Sequence, residues 1–306
     1  MTPPVDDPGL LPATPHAIAC MEVWGGCRAF DQSVSVPGHD VRISCTPYRG
    51  EASGGDIYYV SNCAAGIITR FVLADVSGHG EQVARVATNL RGLMRRHINT
   101  ANQTRFAVDL NRAFSNLELD GKFATAVLVT YFAPTDHLII CNAGHPRPLL
   151  FRAAQCTWEL LDSKTPGVLA TRQPGNTIGI ANLPLGILDP TEYEQFALHL
   201  KPDDVVVLYT DALIEAADTS GRQLGESGLL TLARGLSQID REDAAAALRK
   251  RVSVHTGNLL FNDDATLIVL HHNAADPPDL NWRGQAVKFA KMLGLGAVDS
   301  GPRLEA

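Results

Sequence analysis

The sequence predicts an α+β fold: two mostly antiparallel β-sheets in a sandwich, with helices packed outside. Three observations predict it. Strand-like runs come in blocks and helical patterns come in pairs, not in the one-for-one alternation of a parallel βαβ chain. No internal repeat divides the 306 residues. The composition, 45% hydrophobic and 19% charged, is that of a globular chain with enough apolar surface for a sizeable core.

Taken in order, the predicted strands are VRISC (41–45), DIYYV (56–60), IITRFVLA (67–74), TAVLVTYFA (125–133), HLIICNA (137–143), PLLFRA (148–153), FALHL (196–200), VVVLYT (205–210) and ATLIVLHH (265–272). Each is rich in β-branched and aromatic residues. Residues 81–98 read as a helix, because Val83, Val86, Ala87, Leu90, Leu93, Met94 and Ile98 recur at helical spacing. Phe106, Leu110, Phe114 and Leu117 do the same over 106–117. Two further helices are expected over 224–236 and 241–252. The segment 162–181, bearing Gly and Pro, reads as a long loop. Residues 1–18 read as a flexible leader, 19–272 as the folded unit, and 273–306 as a linker followed by a short helical tail.

Charge and composition exclude several classes. The net charge of −7 argues against nucleic-acid binding driven by bulk charge. No apolar run is long enough to span a membrane. No basic stretch followed by an apolar one opens the chain, so no secretory signal is expected. The six cysteines include no C-x-x-C pair, which disfavours a zinc ribbon. They are expected to be reduced and largely buried in a cytoplasmic protein.

The informative pattern is where the aspartates fall. Asp75 and Asp211 close apolar strands, while Asp56 and the pair Asp263-Asp264 open them. In an antiparallel sheet the end of one strand lies beside the start of its neighbour, so all four sites can share one edge. Any one of them alone would be an ordinary turn residue. Together, in a partly buried place, such carboxylates repel one another unless a cation neutralises them. An all-oxygen ligand set suits hard divalent ions, and four carboxylates suffice for two of them.

The segments ASGGDIYYV (52–60), FVLADVSGHG (71–80), FATAVLVTYF (123–132), CNAGHPRPLL (141–150), LPLGILD (183–189), DDVVVLYTDALIEAAD (203–218), LGESGLLTL (224–232) and NDDATLIVL (262–270) follow in register. With them the chain resembles the metal-dependent serine/threonine phosphatases of the type 2C (PPM) superfamily, in the bacterial SpoIIE/RsbU-like branch. The resemblance covers about residues 40–272. It implies a two-metal centre of Mn²⁺ or Mg²⁺ held by Asp56, Asp75, the backbone carbonyl of Val76, Asp211 and Asp263. Asp264, Gly55 and Ser77 would support those ligands. No side chain would act as nucleophile, since the family uses a water bridging the two metal ions.

Two departures stand out: Tyr59 where many members have an acidic residue, and Ala212 where many have glycine. Arg49 is a weaker candidate for binding substrate phosphate, and His79 for donating a proton. Their plainer readings are a surface arginine and a polar residue before a helix. His145, in NAGHPRP, reads as part of a turn.

The expected function is hydrolysis of phosphoserine or phosphothreonine on a protein. The branch makes a STAS-domain regulator the expected substrate, within a partner-switching signalling pathway. A gated or non-catalytic phosphoprotein or response-regulator binding module is the alternative, and a phosphohydrolase for small esters is a third reading. Regulatory input is expected from a separate sensor or receiver protein, a homodimer contact or the C-terminal tail. The 81–98 helix, with 106–117, is expected to act as a switch or dimer surface. No nucleic acid and no membrane are expected as partners.

Overall fold

The computed structural model describes residues 21–26, 30–48, 54–63, 66–78, 81–117, 121–171, 181–236, 243–257 and 261–275. Its elements are β1 (Met21–Gly26), β2 (Phe30–Val36), β3 (His39–Thr46), β4 (Asp56–Cys63), β5 (Ile68–Val76), α1 (Glu81–His97), α2 (Gln103–Ser115), β6 (Ala124–Phe132), β7 (His137–Ala143), β8 (Leu149–Arg152), β9 (Thr157–Leu160), β10 (Val168–Thr171), β11 (Gln195–His199), β12 (Val205–Tyr209), α3 (Ala212–Glu215), α4 (Gly225–Arg234), α5 (Ala244–His255) and β13 (Ala265–His272).

The strands form two sheets, ordered β1-β4-β5-β6-β7-β11-β10 and β2-β3-β13-β12-β8-β9. Every pairing within them is antiparallel. Side chains alternate across each strand, so each sheet has two apolar faces to cover. The inner faces meet in one core, with Tyr58, Phe71, Leu73, Val127 and Val129 from the first sheet against Ile43, Leu150, Val206, Leu208 and Ile268 from the second. The outer face of the first sheet, with Tyr59, Val72, Ala74 and Leu128, is covered by Val83, Leu90 and Met94 of α1 and Phe106, Leu110 and Phe114 of α2. The outer face of the second carries α3, α4 and α5, through residues such as Leu213, Leu229 and Leu248. This is the sandwich flanked by helices that the sequence predicts.

Local signals place the helices. Asn102 caps α2 by accepting from Arg105 N at 2.8 Å, and Asp243 caps α5 by accepting from Ala246 N at 3.2 Å. α5 begins at Ala244, three residues after the predicted start. The outcome differs from expectation at several elements. β1, β2 and β9 are additional strands. β10 lies within the segment read as a loop, at Val168–Thr171, where it pairs with β11. Residues 172–180 of that segment, the leader and the C-terminal tail lie outside the described residues. Cys45 is disulfide-bonded, which corrects the expectation of reduced thiols, while Cys141 and Cys156 are free. Cys156 is also exposed, not buried. Among the described residues no helix is long and apolar enough to cross a membrane.

Candidate metal centre

The antiparallel register puts the acidic residues together. Asp56, first in β4, pairs directly with Asp75, near the end of β5. Alternation from Tyr58 and Leu73 sends both side chains between the sheets. In the second sheet β12 and β13 are antiparallel neighbours, so Asp211, just after β12, and Asp263-Asp264, just before β13, reach the same edge.

Asp56 is buried and held by two threonines from the opposite sheet. The hydroxyl of Thr266 donates to Asp56 Oδ2 at 2.6 Å, and that of Thr210 donates to the same oxygen at 3.1 Å. Thr210 Oγ1 in turn accepts from Thr266 N at 3.0 Å. Asp264, also buried, accepts from Tyr48 N and from Gly55 N, each at 2.8 Å. It fixes the backbone entering β4 and does not face the cluster alone. Asp264 N donates to Asp263 Oδ1 at 2.8 Å. Two glycines make this approach feasible. A Cβ on Gly54 would lie 1.6 Å from Asp264 Oδ2. A Cβ on Gly55 would lie 2.7 Å from the Val76 carbonyl oxygen and 3.2 Å from Asp75 Oδ1.

The electrostatics follow from this crowding. Burial, then the charge of Asp75, pushes the Asp56 carboxyl well above the usual carboxylate range, against the pull of its threonine hydrogen bonds. Asp75 is pushed up to about 8, first by burial and then by Asp211, Asp263, Asp264 and Glu215. Asp211 is pushed up to about 6, by burial and then by Glu215 and Asp263. The two sheets thus bring together carboxyl groups that repel one another, with Asp56 and Asp264 buried, Asp75 and Asp211 half-buried and Asp263 exposed.

The chemistry of these residues suits hard divalent cations. The donors are all oxygen, the summed negative charge is uncompensated among them, and the space kept open by Gly55 is faced by both Asp75 Oδ1 and the Val76 carbonyl. Among the described residues no three acidic, His or Cys side chains stand close enough together to hold an ion as they are, so the carboxylates would have to draw in around it.

The remaining candidates fall as follows. Ser77 is engaged with the backbone of Phe123. Its N–H donates to Phe123 O at 2.9 Å and its hydroxyl accepts from Phe123 N at 3.0 Å, tying the turn after Asp75 to the start of β6. Arg49 and His79 lie outside the described residues. Ala212 opens α3 and Asp211 has φ −63° and ψ −20°, so the turn continues as helix and needs no glycine. Tyr59 points away from the centre, into the core beneath α1 and α2. His145 closes its turn by donating from its N–H to Asn142 Oδ1 at 2.7 Å, and its buried ring meets Thr125 Oγ1 at 2.8 Å. Burial lowers that imidazole to about 3, which suits packing and not proton transfer at neutral pH.

Sequence reading missed Thr210, Thr266 and Glu215. The two threonines were visible only as neighbours of Asp211 and Asp264. Their shared partner is 154 and 210 residues away in the chain. Glu215 sits one helical turn beyond Asp211, a spacing that returns it to the same side of the chain.

Known proteins share the sequence pattern and the fold of this chain. The family model for Stage II sporulation protein E (SpoIIE) matches residues 68–273. The phosphoserine phosphatase RsbP of Bacillus subtilis (strain 168) is 25% identical over 149 residues, 47% of this chain and 32% of RsbP. The chain therefore spans about a third of the length of that curated relative. The RsbU and RsbW domains of Rv1364c from Mycobacterium tuberculosis superpose with a TM-score of 0.62 at 24% identity, over 82% of this chain and 64% of that one. RsbX, solved in complex with magnesium, superposes with a TM-score of 0.54 at 14% identity, over 79% of this chain and 99% of RsbX. At these identities the solved structures show a shared fold. With the family model spanning β5 to β13, the chain belongs to the SpoIIE family of type 2C (PPM) phosphatase domains.

Proposed function

We propose that this chain is a metal-dependent protein phosphatase acting on phosphoserine or phosphothreonine. The observation that carries the reading is the edge where Asp56, Asp75, Asp211 and Asp263 converge from two sheets, with three of the four carboxyls pushed above their ordinary range. Asp56, Asp75, Asp211, Asp263 and the Val76 carbonyl would hold two ions, Mn²⁺ or Mg²⁺. When bound, such ions supply a nucleophilic water at neutral pH and neutralise charge developing on the phosphoryl group. The chain's own part is to position. Thr210 and Thr266 orient Asp56, Asp264 holds Gly55 close to the Val76 carbonyl, and Ser77 anchors the turn beyond Asp75. The reading assigns no side chain as nucleophile.

The substrate class we propose is a phosphorylated STAS-domain regulator in a partner-switching pathway, with the protein working in the cytoplasm. The similarity to RsbP, a phosphoserine phosphatase, supports the phosphoserine part of that class. Input would come through a separate sensor or receiver protein or a homodimer contact, and α1 with α2 would be the switch. The test is hydrolysis of p-nitrophenyl phosphate and of a phosphoserine STAS protein with Mn²⁺, with Mg²⁺ and with chelator. The expected result is metal-dependent turnover that Asp75→Asn and Asp211→Asn abolish. No turnover of either substrate with any metal, in a folded protein, would refute the reading in favour of a gated or non-catalytic binding module.

A further inference from the structure

We propose that Lys122 binds the phosphoryl group of the substrate, an inference that rests on the phosphatase reading above. The placement of Lys122 is set by its neighbour. Phe123 exchanges two hydrogen bonds with Ser77, and Ala124 then pairs with Val76 at the start of β6. Lys122 is therefore pinned against the turn that follows Asp75 and Val76. Its ammonium lies 3.5 Å from where a Cβ on Gly78 would sit. The same hypothetical Cβ would lie 3.4 Å from Val83, the residue that also packs beside Gly55. Val83 thus stands between the lysine and Gly55, whose own Cβ would meet the Val76 carbonyl and Asp75 Oδ1.

Its charge is uncommitted. Lys122 is half-buried, and among the described residues it takes part in no ion pair or hydrogen bond. Cations elsewhere in the fold are engaged: Arg147 with Glu226 and Asp162, Arg152 with Glu159, Arg42 with Asp31. Every other group named at this edge is acidic or neutral. A phosphoryl dianion approaching it meets Asp56, Asp75, Asp211, Asp263, Asp264 and Glu215, and gains from a cation that is not spent on one of them. Lysine suits that task, as a compact point charge on a flexible stem that reaches a non-bridging oxygen without fixing its direction. Arg49, the residue assigned this role from sequence, lies outside the described residues.

The test compares wild type with Lys122→Met, which keeps an apolar stem of similar length, and with Lys122→Arg. Steady-state kinetics on p-nitrophenyl phosphate and a phosphoserine peptide in saturating Mn²⁺ give kcat and KM. Calorimetry gives the affinity of the Mn²⁺-loaded protein for inorganic phosphate and, separately, the affinity for Mn²⁺. For Lys122→Met we expect kcat/KM to drop about 10- to 100-fold, the size of one lost charge-assisted hydrogen bond. Phosphate affinity should fall by a similar factor, Mn²⁺ affinity should stay within twofold, and Lys122→Arg should recover most of the loss. Kinetics and phosphate affinity within twofold of wild type would overturn the proposal. So would a fall in Mn²⁺ affinity that accounts for the whole effect, or a Lys122→Arg variant as weak as Lys122→Met. Should wild type hydrolyse neither substrate, the phosphatase reading fails, and the phosphate titration alone then decides for or against Lys122. Lys122→Gln replaces the Met variant if that one does not fold.

Discussion

Removing the Thr266 hydroxyl tests the link between the two sheets at the acidic edge. Thr266→Val keeps the shape of a fully buried side chain and deletes one donor. That donor holds Asp56 Oδ2 at 2.6 Å, and Thr210 remains with a longer bond of 3.1 Å to the same oxygen. A buried hydrogen bond to a charged acceptor contributes about 1.5–3 kcal/mol. Burial already disfavours the ionised form of Asp56, and Thr266 is the stronger of the two hydroxyls opposing that trend. Its loss raises the Asp56 carboxyl further. A cation must then displace a more tightly held proton and accept a less firmly oriented ligand. The expected outcome is Mn²⁺ affinity weakened about tenfold to a hundredfold at pH 7, with the deficit shrinking as pH rises. Titration calorimetry at pH 6.5, 7.5 and 8.5 measures it, with circular dichroism to verify folding. Asp56→Asn is the control. An unchanged Mn²⁺ affinity in folded Thr266→Val, alongside a strong loss in Asp56→Asn, would refute the idea that Thr266 orients that carboxylate. An unchanged affinity in both would remove Asp56 from the ligand set.

Two further predictions concern the acidic edge and one the far end of the sandwich. Asp75 has a folded value of about 8 against an ordinary 3.8, so its contribution to stability is complete below 3.8 and is lost as pH rises through 8. The melting temperature of metal-free protein should therefore fall between pH 4 and pH 8, and Asp75→Asn should flatten that slope. A slope unchanged by the substitution would count against the repulsion described here. Gly54→Ala places a Cβ 1.6 Å from Asp264 Oδ2, which must move and give up its bonds to Tyr48 N and Gly55 N. Urea denaturation should show a loss of roughly 2–4 kcal/mol, and an alanine variant as stable as wild type would contradict the packing. At the opposite end of the sandwich, burial and the neighbouring His272 hold His39 down to about 3, its ring packed on Tyr131 at 4.2 Å with Asp136, His271 and Phe71 around it. Because the folded value lies below the ordinary 6.5, stability is lost as pH falls from 6.5 towards 3. His39→Phe should lessen that acid loss in urea unfolding at pH 7 and pH 5, and an equal acid loss in both proteins would exclude His39 as its source.

Much of this molecule was legible from local pattern. The strands from β3 to β8 and from β11 to β13 are continuous runs of β-branched and aromatic residues, because both faces of each sheet are covered. The apolar stripe of α1 was visible for the complementary reason, since it packs on one face and exposes Arg85, Arg95 and Arg96 on the other. β2, β9 and β10 were not legible. β2 carries Asp31, Gln32, Ser33 and Ser35 and sits at a sheet edge, where one neighbour suffices. β9 and β10 have only four residues each, and β10 is an edge strand within a Gly- and Pro-bearing stretch. Pairing with β8 and with β11 makes them strands, and pairing is not a local property.

At the acidic edge the division is similar. Which carboxylates stand at strand ends, and that glycines precede Asp56, can be read from the chain alone. Those are features of composition and order along the chain. Tertiary structure decided that Asp56 faces Asp75 in register, that Thr210 and Thr266 reach across from the second sheet to one oxygen of Asp56, and that Asp264 turns to hold the backbone of Gly55. It also set Lys122 beside Gly78 in the turn that follows Asp75 and Val76. Each of these depends on strand register and on the spacing between two sheets. Both are set by the packing of a shared core between residues far apart in the chain.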